Sequence, residues 1–325
     1  MITENTKAAA NALAISLDAD VIVFNAPVER GSDRKIIALC SAMERKRRNA
    51  FLLLVTEGGD PDVAYRISRA IQNNYKEGTF YCFISGFCKS AGTLLALGAH
   101  ELVFSDHGEV GPIDVQMGKK DELWEWQSGL TVNASLSSLN EQAFQAFESF
   151  LVQTKYHLRG GITLRTASEV AAKLATGLYA PIFEQFDPMH IGEAGRSVLI
   201  AQQYALRLDM RARNLKKDTL KNLIMGYPSH GFVIDQEEAV TMFNRVRPAS
   251  PLETALEKSL GDASCIPIDS SKQSIIVEFV STEIPEESAN VAGPVLNPPA
   301  EHGIGDFVAP PAGDVPGDGA PPAVA

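Results

Sequence analysis

Between residues 20 and 104, short runs of β-branched and aromatic residues alternate with segments of helical pattern, and this alternation most narrows what the chain can fold into. Residues 20–25, 51–55, 79–84 and 101–104 read as strands. Residues 32–47 and 90–99 read as helices, as do residues 61–75 with Val63, Ile67 and Ile71 on one stripe. Strands that take turns with helices form a largely parallel sheet with right-handed βαβ crossovers, so the expected class is α/β. Ligands of such sheets bind beyond the strands' carboxyl ends, and two junctions there carry unusual residues.

The first junction is Phe51-Leu-Leu-Leu-Val-Thr-Glu-Gly-Gly-Asp-Pro61, in which Asp60 is placed to cap a helix and Pro61 to begin it. Gly58 and Gly59 then lie at a strand's end, where the backbone can turn sharply and present an N–H to a substrate oxygen. The second is Phe83-Ile-Ser-Gly-Phe-Cys-Lys-Ser-Ala-Gly-Thr-Leu94, which passes from an apolar strand through Gly86, suited to a tight turn, into an apolar helix. Ser90 stands at that helix start, either as a simple N-cap or as a nucleophile beside unpaired N–H groups.

Four stretches resemble the Clp and crotonase superfamily, and within it the serine dehydrogenase proteinases and relatives of signal peptide peptidase A. They are Thr56-Glu-Gly-Gly-Asp-Pro61, Lys89-Ser-Ala-Gly-Thr-Leu94, Gly108-Glu-Val-Gly-Pro-Ile-Asp-Val115 and Tyr227-Pro-Ser-His-Gly-Phe-Val-Ile-Asp235, within a match over residues 20–243. The resemblance implies a Clp/crotonase-like core and a serine peptidase with Ser90 as nucleophile. It also implies an oxyanion hole made by the backbone N–H groups of Gly59 and Ala91. The stretch from Gly111 to Val115 resembles the one that holds the catalytic histidine of the Clp proteolytic subunit, but Asp114 stands here instead.

A serine nucleophile needs a base, and the sequence leaves two routes open. His230, in a turn-forming loop before the Asp235 helix cap, can combine with Ser90 and Asp114 as base and orienter, since geometry and not chain order defines a triad. Alternatively a lysine serves, as in the signal peptide peptidase A relatives, with Lys89, Lys119, Lys120 and Lys155 as the candidates. His107 and His190 read as loop histidines. Cys88, two residues before Ser90, is a rival nucleophile with no adjacent base in the sequence.

The rest of the chain bounds partners more than chemistry. A net charge of −11 argues against nucleic acid and anionic membrane as partners. The cluster Arg45-Lys-Arg-Arg48 reads as the solvated end of an amphipathic helix that carries Ile36, Ile37, Cys40 and Met43 on its other face. No leader-like start and no apolar run of ~18 residues is present, so a cytoplasmic protein without a membrane span is expected. Cys40, Cys82, Cys88 and Cys265 lack metal-ligand spacing and read as reduced thiols. No metal and no cofactor is expected; no Gly-x-Gly-x-x-Gly follows a strand, which argues against dehydrogenase chemistry, and no Walker-type loop is present, so any ATP-driven unfoldase would be a separate chain.

After Asp114 the pattern turns helical, with apolar stripes over residues 136–151 and 198–210 that suit a cap on the sheet or a subunit interface. The expected organisation is a segment 1–18, a Clp/crotonase-like peptidase domain 19–250, an extension 251–284 with a short strand, and a tail 285–325. Three functions fit: a homo-oligomeric peptidase acting on peptides or unfolded proteins, a crotonase-type enzyme stabilising an acyl-CoA enolate, or a catalytically silent scaffold. The tail holds nine of the eighteen prolines and no Lys or Arg, a composition that cannot offset chain entropy, and is expected to be disordered. Deleting residues 285–325 should therefore leave the melting temperature nearly unchanged in a calorimetric scan, and a drop of many degrees would mean that the segment docks.

Overall fold

Strand residues that are apolar on both faces run through the middle of a seven-stranded sheet, with helices covering both sides. The computed structural model describes residues 2–43, 46–113, 116–118, 126–157, 161–269 and 274–281. Its first half runs α1 (Glu4–Leu17), β1 (Ala19–Asn25), α2 (Ser32–Ala42), β2 (Asn49–Thr56), α3 (Pro61–Asn74), β3 (Phe80–Cys88), α4 (Ala91–Ala96), β4 (Glu101–Phe104) and β5 (Glu109–Val110). A two-stranded hairpin, β6 (Gln116–Gly118) and β7 (Trp126–Ser128), precedes α5 (Gly129–His157), α6 (Leu164–Phe183) and α7 (Pro188–Ala212). The chain continues through α8 (Thr219–Met225), α9 (Gln236–Met242), β8 (Val246–Pro248), α10 (Pro251–Leu260) and β9 (Ile276–Phe279).

The sheet order is β8-β4-β3-β2-β1-β9, with β5 also on β3; all pairings are parallel except β1 with β9. The class is α/β with a mainly parallel sheet. Side chains alternate between two cores, as the period of two requires. Ile22, Phe24, Leu52, Leu54, Cys82 and Ile84 face a core that includes residues of α2, α3, α4 and α7. Val21, Val23, Phe51, Leu53, Val55 and Phe83 face one that includes Ala10, Leu13 and Ala14 of α1 and Leu256 of α10. Burial on both faces explains the unbroken apolar run of β2.

Several elements differ from the sequence expectation. Residues 4–17, read only as a leading segment, form a helix because Thr3 makes a reciprocal capping box with Thr6 and the Ala10, Leu13, Ala14 stripe meets the sheet. The helix that begins at Ser32 ends at Ala42, before the basic cluster. Gly86 does not turn the chain. It stays inside β3, where a β-carbon would lie 2.3 Å from the Cys265 backbone, so its role is close approach.

That approach accompanies a break in register. Leu54 pairs with Ile84 but Thr56 with Cys88, so β3 carries two extra residues against β2. Beyond the bulge β3 exchanges its neighbour, from β4 at residues 81–84 to β5 at Phe87 and Cys88. Residues 1–284 and 285–325 separate as two units, and the second lies wholly outside the described residues. No helix among the described residues is long and apolar enough to cross a membrane.

Candidate active site

The two junctions singled out in the sequence meet at the carboxyl ends of β2 and β3. Past the bulge, the Lys89 N–H donates to the Thr56 carbonyl over 3.1 Å, which sets the turn from β3 into α4 directly against the turn after β2. A β-carbon on Gly58 would lie 2.7 Å from the Lys89 carbonyl oxygen, 2.8 Å from Ser90 Cβ and 3.1 Å from the Ala91 nitrogen. One on Gly92 would lie 2.4 Å from Thr56 Cγ2. Only glycines at these two positions allow the turns to close on each other.

Ser90 has φ +53° and ψ −115°, a backbone conformation that is costly for any residue with a side chain. Its hydroxyl makes no cap hydrogen bond to α4. The simple N-cap alternative therefore has no support here, since an N-cap has extended backbone and accepts from the second or third helical N–H. Strain of this kind, in a serine on a sharp strand-to-helix turn, lifts the side chain out of both elements. Ser90 is half-buried and Ala91 is buried.

The glycine pair divides its tasks. Gly58 has φ +105°, its N–H donates to Thr56 Oγ1 over 3.1 Å, and its carbonyl accepts from Val28 N–H over 2.9 Å. Gly59, with φ +141°, forms a parallel bridge to Val28, whose carbonyl accepts from Asp60 N–H over 2.7 Å. In such a bridge the residues flanking Gly59 bond to Val28, so Gly59's own N–H is not spent on that strand. Gly59 is exposed, and the Ala91 N–H, first of α4, has no partner within its own helix. Asp60 caps α3 by accepting from Asp62 N–H over 2.7 Å, with Pro61 as the first helical residue. Helix α4 has only six residues, so these N–H groups count as individual donors and not through a helix dipole.

On the other side of Ser90 the chain is tied to β5 and the 226–234 loop. Thr93 Oγ1 donates to the Gly111 carbonyl over 2.9 Å and accepts from Gly111 N–H over 3.2 Å. Val110 and Ile234 exchange two hydrogen bonds of 3.0 Å, and Ile113 N–H donates to Leu223 O over 2.8 Å. Residues 230–232 thus run beside Gly111, whose missing β-carbon would lie 3.5 Å from the His230 carbonyl oxygen. His230 is half-buried in this loop. Asp114, one residue beyond Ile113, lies outside the described residues, as do Lys119 and Lys120.

Other candidates separate cleanly. The three N–H donors of Lys89 are matched by three acceptors: Glu109 Oε1 at 3.1 Å, Phe232 O at 3.1 Å and Val110 O at 3.2 Å. An ammonium held in this way has no lone pair to offer Ser90. Lys155 donates to Ile162 O over 2.6 Å, bridging the end of α5 to the residues before α6. Burial pushes the Cys82 and Cys88 thiols well above their ordinary range and Cys40 up to about 11, which keeps Cys88 in its unreactive thiol form. His107 lies on the β4–β5 connection, its N–H donating to Ser105 Oγ over 3.2 Å. No sequence signal had flagged Thr93 or Val28, because each acts through a contact distant in the chain.

No protein-family model matches the chain. No curated protein matches it either. Two solved structures are similar at low level. One is a 1510-N membrane-bound stomatin-specific protease in a serine-to-alanine mutant, 18% identical over 46% of this chain and 68% of that one, with a TM-score of 0.28. The other is the same protease in a lysine-to-alanine mutant with a substrate peptide, 19% identical over 46% of this chain and 64% of that one, again at 0.28. At that TM-score the likeness carries no argument, and the site is read from its own geometry.

The packing of Gly58 on Ser90 gives a direct test. Gly58→Ala places a methyl group against Lys89 O and Ser90 Cβ at a positive φ, so it should slow covalent labelling of Ser90 by at least about tenfold. Circular dichroism should remain that of a folded α/β protein, and an alanine variant labelled at the normal rate would show that the two turns need not touch.

Proposed function

We propose that this protein is a serine peptidase in which Ser90 attacks the scissile carbonyl and the N–H groups of Gly59 and Ala91 stabilise the oxyanion. The observation that carries the reading is the strained backbone of Ser90, packed against the glycine turn that follows β2. Strain at a serine costs about 1–3 kcal/mol and is retained only where surroundings impose it. A crotonase-type enolate hole would use the same donors but gives a strained serine no task, and a silent scaffold would have no need of it.

His230 is the base of this proposal, with Asp114 as its orienter. The support is positional: the loop that bears His230 is held beside Gly111, and the segment held there leads directly to Asp114. Attack by Ser90 Oγ on the carbonyl carbon passes its proton to the imidazole, which returns it to the leaving amine. Water then repeats the cycle on the acyl-enzyme, releasing the acid and restoring the serine. The saturated ammonium of Lys89 weighs against the lysine route at that position.

The proposal extends to a cytoplasmic assembly of identical copies that admits peptides or unfolded chains, with any ATP-driven unfolding left to a separate protein. Among the described residues of α5 and α6, the only buried side chains are those of Ala167, Ala171 and Ala175. Phe144, Tyr156, Leu174 and Leu178 are each about half exposed or more, an apolar surface that single soluble chains rarely leave open. A second copy supplies a matching surface, as symmetric assembly requires.

Three measurements test these readings. Ser90→Ala should abolish fluorophosphonate labelling and peptide hydrolysis without loss of fold, whereas hydrolysis that survives the substitution sinks the peptidase. In the active enzyme His230→Ala should remove most of the rate of peptide hydrolysis, and near-normal turnover by that variant would exclude His230 as the base. Light scattering should give a mass above that of one chain, and Leu174→Glu with Leu178→Glu should return it to a monomer; a wild-type monomer at micromolar concentration would exclude self-assembly through this surface.

A further inference from the structure

Lys89 is 2% exposed, yet it is a lysine, and its side chain leaves the Ser90 turn for a different part of the molecule. Its stem crosses Gly111, where a β-carbon would lie 2.6 Å from Lys89 Cδ, so the glycine is required for the stem to pass. Its ammonium lies 5.4 Å from the centre of the Phe87 ring and bonds to Glu109, Val110 and Phe232. Those partners belong to β5 and to the loop that bears His230. Meanwhile the Lys89 backbone is held at both ends, its N–H by Thr56 O over 3.1 Å and its carbonyl by Gly92 N–H over 2.8 Å. Packing alone would be met by an apolar residue of the same length, whereas a buried ammonium is tolerated only when every donor is matched.

We propose that Lys89 is a positioning residue that locks the His230 loop to the strained Ser90 turn. This inference rests on the reading of Ser90 as nucleophile. The two backbone bonds fix where Ser90 starts; the side-chain bond to Phe232 O ties residues 230–232 to it, and those to Glu109 and Val110 tie β5, on which Ile234 of the same loop is paired. No bond is made or broken by Lys89 in the reaction, and its proton stays on Nζ throughout. The ion pair with Glu109, whose side chain is 24% exposed, neutralises the charge at the edge of the site.

The test uses the full chain with Lys89→Met, which keeps the stem and removes the donors. Amide exchange over residues 229–234 should accelerate, and the rate constant for fluorophosphonate labelling of Ser90 should fall by about 10²-fold, the scale of a misplaced reacting pair. The final labelled fraction should stay near that of the wild type. That split separates positioning from folding, because a loss of folded protein lowers the fraction labelled and a misplaced base lowers the rate. If Lys89→Met does not fold, Glu109→Ala should show the same two changes at smaller size. Normal labelling in either folded variant overturns the role, as does slowed labelling with unchanged exchange at 229–234. Failure of the wild type itself to label would instead overturn the nucleophile reading, and this inference with it.

Discussion

One backbone hydrogen bond, from Lys89 N–H to Thr56 O, determines the rest of the site. It forms only because β3 takes two more residues than β2 to reach the same level, which holds the chain back so that the Ser90 turn lies beside the glycine turn. Without the bulge, Cys88 would stand level with residue 58 and Ser90 two residues beyond it. The bulge is in turn stabilised from outside the sheet, where Phe87 N–H donates to Cys265 O over 3.0 Å and Ser85 Oγ donates to Ser264 O. A segment near residue 265 thereby helps set the geometry of residue 90.

The consequences propagate in both directions from that bond. Toward β1, Gly58 and Asp60 are spent on Val28. Toward β5, the exchange of neighbours after the bulge opens a place for Glu109 and Val110, and Thr93 pins Gly111 against α4. Parallel strands bond to both neighbours in a slanted, evenly spaced pattern, so one shift of register redirects every later donor. The site is best understood as what the sheet's hydrogen bonds leave over when β3 changes partner.

Much of this was legible in the sequence, and the reasons are local. Asp60-Pro61 marks a helix start through capping chemistry alone, and the apolar runs of β1 to β4 declare themselves by composition. Ser90 and Gly59 stood out because a polar or glycine residue interrupts an apolar pattern. What was hidden depended on partners far along the chain. Gly86 looked like a turn because nothing near it announces Cys265, which lies 179 residues later. The burial of Lys89 was equally invisible, since its three acceptors come from residues 109, 110 and 232. Helix α1 was passed over because its buried stripe is largely alanine, too weak a signal until the sheet is there to cover it.

The antiparallel pairing of β9 with β1 has a consequence for how the chain is made. Residues 22–25 pair with residues 276–279, so that edge of β1 stays open until residues 276–279 have been synthesised. Exposed strand edges accept whatever strand is offered, including that of another nascent chain. Helix α1 covers one face of β1 from a neighbouring stretch of chain, while the edge of β1 is covered by a segment more than two hundred residues away. Among the described strands β9 is the last to be made, and when it pairs it covers the edge of β1 and becomes the edge strand in its place.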